Sequence, residues 1–247
     1  PTVTDIAGNA LADRNPGSPA QTYTMDNSFP PVTITSSALI LGGASTATVT
    51  FTLGQTSTDF ELADVDVVGG TLSAFTGTGT SYTATFTPRS GFSGTATVSV
   101  DAGSFSNASG IYNSAGNVNL TVDTTSPSVL SLQSTTSNGI YKTAGVINVT
   151  VTFDETLVVA TGGGVPTLLL ETGTVDRNAT FVSSSGSVAT FRYVVQAGDV
   201  NSNLDVQSPG ALVLNGGTMR DAAGNAANLV VTAPGSTGSL GANAAIV

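Results

Sequence analysis

Cysteine and histidine are both missing from the 247 residues. Without them the chain has no disulfide, no thiolate nucleophile, no imidazole base and no zinc site of the usual nitrogen–sulfur type. Secreted proteins often rely on disulfides. A secreted protein without them has to be stabilised in another way, by its size or by a metal.

Charged residues are few as well, at 9% of the sequence. The 16 acidic residues outnumber the 6 basic ones, so the formal net charge is −10. Nucleic acids and anionic membranes attract clustered Lys and Arg, and we therefore expect neither as a partner. No apolar run approaches the ~20 residues of a membrane span. The acidic balance is compatible with binding cations.

What the sequence does contain is short segments in which apolar residues alternate with threonine. In "TATVTFTL" (46–53), Ala47, Val49, Phe51 and Leu53 share one face and four threonines share the other. This period of two is typical of half-buried β-strands. Gly, Ser, Asn and Pro turns separate the segments, so we predict an all-β fold. The further predicted strands are 82–86, 95–100, 118–122, 147–153, 189–195 and 228–233.

A recurring motif suggests that the chain is built from repeated units. "AGN" ends at Asn9, Asn117 and Asn225, two intervals of 108 residues. Such spacing favours tandem domains, and short strands with one apolar face predict immunoglobulin-like β-sandwiches. The segments "DNSFPP" (26–31) and "DTTSP" (123–127) are interpreted as stiff joints because each places a proline after an aspartate.

These joints divide the sequence into a first domain at 27–123 and a second at 124–247. Residues 1–26 are interpreted as the terminal hairpin of a preceding repeat, or as a strand donated to a neighbouring sheet. Because Pro1 cannot be a natural translation start, we expect the natural chain to be longer.

Three segments carry a resemblance to a known family: "GTLSAFTGTGTSYTATFTPRSGFSGTATVSVDAGSF" (70–105), "VTFDETLVV" (151–159) and "LVLNGGTMRDAAGNAANLVV" (212–231). They resemble the bacterial immunoglobulin-like repeats of giant surface adhesins, of the biofilm-associated and RTX type. The resemblance implies tandem extender domains at the bacterial cell surface, often made rigid by calcium. It also implies that the partners are neighbouring repeats of the same chain.

Acidic residues from three distant segments are predicted to meet at one pole of the second domain. They lie at the start of its first strand, at the end of its second strand and in its last hairpin loop. Carboxylate and amide oxygens are suitable ligands for Ca²⁺, and unneutralised carboxylates would repel one another. The predicted ligands are Asp123, Asp154, Glu155, Asp221 and Asn225. The alternative is that "DAAGN" is only a hairpin turn in which Asp221 bonds its own backbone.

The corresponding pole of the first domain is predicted to bind calcium more weakly, or not at all. Its candidate ligands are Asp26, Asn113 and Asn117. Asn113 takes the place of the loop aspartate and Gln55 that of Glu155, so both positions keep an oxygen but lose the charge.

An enzyme is not expected, because adjacent residues on a strand, such as Asp154 and Glu155, point to opposite faces. Two other functions stay open. One is a binding tip that recognises a glycan or another surface ligand through exposed Tyr112. The other is a subunit of an extracellular fibre, completed by strand addition from residues 1–26.

Overall fold

The threonine-rich alternating segments form strands whose apolar faces are buried, as the period of two predicts. The computed structural model describes residues 29–247. In the strand that covers 47–57, Ala47, Val49, Phe51 and Leu53 are all at most 3% exposed. The threonines between them lie on the outer side of the sheet or are only partly covered. The prediction of an all-β protein is confirmed.

Residues 32–123 form two sheets around one core. Strand β3 lies between β1 and β5 in an antiparallel sheet, while the second sheet has the order β2-β7-β6-β4, with β2 parallel to β7. The strands are β1 (Val32–Ser36), β2 (Ile40–Gly42), β3 (Ala47–Ser57), β4 (Val65–Val68), β5 (Gly70–Pro88), β6 (Ser93–Val100) and β7 (Gly116–Asp123), and a short 3-10 turn (Leu62–Asp64) precedes β4.

Phenylalanine side chains fill much of this first core. The Phe60 ring centroid lies 4.7–5.6 Å from those of four other rings, which belong to Phe51, Phe75, Tyr82 and Phe105. Such packing of large apolar rings supplies strong hydrophobic stabilisation without a disulfide. Tyr82 is buried, as its place among apolar neighbours predicts.

Residues 129–247 have a core of their own but arrange their strands differently. One large sheet has the order β14-β11-β12-β13-β9-β8, with β15 also paired to β11, and β10 pairs with β16 in a separate ribbon. The strands are β8 (Val129–Ser134), β9 (Val146–Phe153), β10 (Val158–Ala160), β11 (Thr167–Glu171), β12 (Arg177–Ser185), β13 (Val188–Val194), β14 (Asp205–Val206), β15 (Leu212–Val213) and β16 (Thr218–Arg220); a one-turn helix, α1 (Leu240–Asn243), follows.

The buried side chains form two clusters, one within residues 32–122 and the other within residues 132–246. The domain limit proposed from the sequence, between residues 123 and 124, falls between these clusters. Residues 1–26, interpreted above as a hairpin or a donated strand, lie outside the described residues. No helix in the described part of the chain has the length and apolar character needed to cross a membrane.

The strand predicted at 228–233 is wrong. This segment is irregular and touches the rest of the fold through isolated bridges, such as the parallel pairing of Asn228 with Ser128. The segment still contributes Val231 to the core, which is 2% exposed. Its alternating pattern therefore reflects burial on one side, which a strand and an irregular crossing segment can share.

Candidate metal centre at the junction of the two units

Three carboxylates from distant parts of the chain lie together between the two units. Asp123 ends β7, Glu155 follows β9 and Asp221 follows β16, and one oxygen of each lies within 4.8 Å of the others. Asp221 is buried, whereas Asp123 and Glu155 are half-buried. Burial reduces the screening by water, so these negative charges repel one another more strongly than they would on an open surface.

The hydroxyl of Thr125 lies between two of these carboxylates. Its Oγ1 is 2.7 Å from Asp123 Oδ1 and 2.9 Å from Glu155 Oε1. A hydroxyl has one proton to donate, so it can satisfy only one of the two oxygens at a time. The Thr125 N–H also donates to Asp123 Oδ1 at 3.1 Å, an aspartate turn that fixes the start of the linker. The sequence signal for this turn was the Asp-Thr-Thr series at 123–125.

Asp154, the remaining predicted carboxylate, lies outside this cluster. Its Oδ1 accepts a hydrogen bond of 2.7 Å from the Ser128 N–H, and its side chain is exposed. Asp154 and its neighbour Glu155, which lie in the bend after β9, thus have different partners.

The Asp221 carboxylate also holds its own loop together. Its Oδ1 accepts from the Asn225 N–H at 2.8 Å and its Oδ2 accepts from Asn225 Nδ2 at 2.7 Å. Gly224 has a φ of +90°, a left-handed conformation that glycine adopts without strain. The hairpin turn considered as an alternative is therefore present, and it leaves lone pairs of Asp221 available for a further partner.

Asn225 connects the loop to the first unit. Its Oδ1 accepts from the Gly43 N–H at 2.7 Å, and its Nδ2 donates to the backbone carbonyl of Asp123 at 2.8 Å. The two backbone partners, one a donor and one an acceptor, fix the orientation of the amide. The amide oxygen of Asn225 consequently faces Gly43, and its NH₂ group faces Asp221 of the carboxylate cluster.

The candidate ligands of the first unit are placed differently. Asn113 is buried, and its side chain bonds to the backbone of its own loop. Its Oδ1 accepts from the Phe105 N–H at 3.1 Å, and its Nδ2 donates to the Asp101 carbonyl at 2.7 Å. Asn117 is exposed on β7. Gln55 Oε1 accepts from Asn107 Nδ2. Asp26 lies outside the described residues.

A second charged group lies on the side of the second unit, where Asp199 meets Arg177 and Tyr193. The Asp199 side chain is 4% exposed and accepts from Arg177 Nε at 2.9 Å and from the Tyr193 hydroxyl at 2.6 Å. Burial alone would raise the pKa of Asp199, but the hydrogen bonds from Tyr193, the Gln196 N–H and Arg177 outweigh it and hold that pKa below its usual range. Burial, with the nearby carboxylate, raises the pKa of Tyr193.

Residues 26–124 match the family model described as a bacterial Ig-like domain. A search of curated proteins found no match. Among solved structures, the chain is similar to the Escherichia coli adhesin FdeC (16% identity, 87% of this chain and 66% of that one, TM-score 0.33).

Two structures from Yersinia pseudotuberculosis are also similar. They are the adhesin InvE (14% identity, 73% of this chain and 54% of that one, TM-score 0.27) and InvD (20% identity, 80% and 58%, TM-score 0.27). The chain thus spans between 54% and 66% of the length of these three proteins. The part of the chain that matches the bacterial Ig-like domain family, residues 26–124, contains the whole two-sheet unit of residues 32–123.

Proposed function

We propose that this chain is a structural segment of a bacterial cell-surface adhesin, in which consecutive Ig-like units act as spacers outside the cell. The support comes from the family match at 26–124 and from two units with separate cores, joined by the short segment 124–128. A spacer needs stable units and a joint of defined orientation. The carboxylate cluster of Asp123, Glu155 and Asp221 lies at this joint.

The second part of the proposal is that Ca²⁺ binds at this joint. The observation that carries it is the approach of Asp123, Glu155 and Asp221 to within 4.8 Å of one another. Two like charges at this distance repel by about 1 kcal/mol at the dielectric of water and by about 3 kcal/mol at an effective dielectric of 20. A divalent cation turns this repulsion into attraction.

The donor set fits calcium in its chemistry. Ca²⁺ takes six to eight oxygen ligands in flexible geometry, from carboxylates, hydroxyls, carbonyls and water. Three carboxylates and the Thr125 hydroxyl would supply the protein oxygens, and water would complete the shell. Asn225 would act one step further out, by holding Asp221 in place through Nδ2.

The consequence for the joint follows from where the ligands lie in the sequence. Asp123 closes the last strand of the first unit, while Glu155 and Asp221 belong to loops of the second. A shared ion would tie the end of β7 to the second unit and so resist bending. Extracellular calcium modules of this class bind with dissociation constants of about 0.1–1 mM.

The experiment is small-angle X-ray scattering of the whole chain with calcium and with EDTA, together with calorimetric titration of calcium. We expect an extended particle in both conditions and calcium binding in the titration. A compact particle with the units side by side would refute the spacer. An extended particle without calcium binding would leave the spacer standing and refute the ion.

The binding-tip alternative has one observation in its favour. Tyr112 is 57% exposed in the loop between β6 and β7, as expected for a residue that stacks on a sugar. A glycan array probed with the parent chain and with Tyr112→Ala tests it, since a hit that is lost in the variant would support a binding tip.

A further inference from the structure

The contact between the two units depends on a pair of glycines. Gly42 ends β2 and Gly43 follows it, and both face the loop Ala223–Asn225 of the second unit. Within residues 29–247, two hydrogen bonds join residues 29–123 directly to the second unit, residues 129–247. Both involve the side chain of Asn225. Beside this contact lies an open groove of about 520 Å³.

The loop approaches Gly42 more closely than any side chain would allow. A Cβ atom at Gly42 would lie 2.3 Å from the Ala223 carbonyl oxygen and 3.2 Å from Asn225 Oδ1. The three atoms nearest to that Cβ all belong to the second unit. Neither Gly42 nor Gly43 is among the glycines with positive φ. Glycine is therefore required here by the neighbouring unit and not by the backbone conformation.

Gly43 provides the polar half of the contact. Its N–H donates to Asn225 Oδ1, and a Cβ at this position would stand 3.2 Å from the same oxygen. Since Nδ2 of Asn225 donates to the Asp123 carbonyl, one amide bridges two segments of the first unit, the end of β2 and the end of β7. Leaving a buried polar group without such partners costs free energy, and this favours a single position of the loop against the first unit.

We propose that Gly42 and Gly43 form a docking site for the Ala223–Asn225 loop, and that this contact sets the orientation of the two units without a metal. The proposal concerns the joint alone and holds whether or not the chain belongs to an adhesin.

The second unit lacks this pair at the corresponding place. Strands β3 and β9 bury residues at positions that differ by 100 in number, such as Val49 and Val149. The segments that precede β3 and β9 also correspond, because each pairs in parallel with the last paired segment of its own unit. In the first unit β2 pairs with β7, and in the second Gly139 pairs with Ile246. Lys142 and Thr143 then stand where Gly42 and Gly43 stand. The docking site is therefore a property of this joint and not of both units.

The absence of cysteine makes a direct measurement simple. Thr33→Cys on β1 and Thr180→Cys on β12 introduce two exposed labelling sites, one in each unit. Electron–electron double resonance between spin labels at these sites gives the distribution of distances between the units. The measurement is made in EDTA, so that it does not depend on calcium.

We expect one narrow peak for the labelled parent chain and loss of that peak, by broadening or displacement, for Gly42→Ala and for Asn225→Ala. The matched control is Gly162→Ala, since a Cβ there has no neighbour within 4 Å and its φ is not positive. It should keep the peak of the parent. Circular dichroism checks that each variant retains its strands.

A Gly42→Ala chain that is folded and keeps the parent peak would overturn the proposal, as would a parent chain whose distribution is already broad. If the distance distribution of the parent is broad in EDTA and narrows when calcium is added, the ion sets the orientation of the units and the glycine pair does not. Should Asn225→Ala prove unstable, Gly43→Ala tests the same contact from the first unit.

Discussion

Replacing Glu155 with glutamine separates the calcium hypothesis from ordinary hydrogen bonding. Glu155 is half-buried, and its described polar contact is the shared hydroxyl of Thr125. Glutamine keeps the length and one carbonyl oxygen but removes the charge. The substitution should therefore have opposite effects in the two conditions: it relieves repulsion when no ion is present, and it removes a ligand when one is.

The magnitudes follow from distance and mass action. Removing the charge of Glu155 abolishes two like-charge pairs at up to 4.8 Å, each worth about 1 kcal/mol in a water-like dielectric. Part of this gain is offset by a weaker hydrogen bond to Thr125. With a dissociation constant of about 0.1–1 mM, calcium at about 10 mM stabilises the parent by about 1.4–2.7 kcal/mol. At about 4 °C per kcal/mol for a unit of this size, its melting temperature rises by about 6–11 °C.

The assay is differential scanning calorimetry of the whole chain in EDTA and in calcium. Asp154→Asn is the matched control, because it removes a charge at the adjacent residue, outside the cluster. The control should keep the full calcium increment, and Glu155→Gln should lose most of it while melting at or above the parent in EDTA. Equal increments for the parent and Glu155→Gln would refute the ion at this place.

Three further predictions concern the stability of each unit. Asp221→Ala should destabilise the second unit by about 1–3 kcal/mol even in EDTA, because the Asn225 N–H loses its acceptor; unchanged melting would show that the loop does not depend on this bond. Asp199→Asn should cost about 2–3 kcal/mol at neutral pH. Since the pKa of Asp199 is lowered on folding, its contribution is present above the unfolded-state pKa near ~3.9 and is lost as the pH falls through the folded-state pKa; the variant should therefore melt with a weaker acid dependence than the parent, and parallel pH profiles would contradict this. Phe51→Ala should cost about 3–5 kcal/mol in the first unit alone, and a shift of both calorimetric transitions would contradict the separation of the cores.

The fold was predictable where one face of a strand is buried. In β9, for example, Ile147, Val149, Val151 and Phe153 all point into the core, and the alternation in the sequence records this directly. The pattern does not record how strands pair. Nothing in the alternating segments distinguishes the two facing sheets of the first unit from the large sheet of the second, because pairing depends on contacts between distant residues.

The candidate site was predictable as a place but not in its details. Sequence order and topology were enough to bring Asp123, Glu155 and Asp221 to one pole. They could not show that Asp154 turns away to Ser128, since that depends on the bend at residues 154–155. Nor could they show that the amide oxygen of Asn225 faces the other unit, because its partner Gly43 is 182 residues away.

The recurring Ala-Gly-Asn motif shows why identical letters need separate physical explanations. Gly116 lies in regular strand backbone at the start of β7, paired with Val100, and a Cβ there would come within 2.3 Å of the Val32 carbonyl oxygen. Gly224 has open space around it and is required by its φ of +90°. One glycine permits a close approach and the other permits a turn. The interval of 108 residues therefore does not mark equivalent positions, whereas the interval of 100 between the buried residues of β3 and β9 does. By this interval of 100, Lys142 occupies the position in the second unit that corresponds to Gly42 in the first. The docking site is therefore specific to one joint.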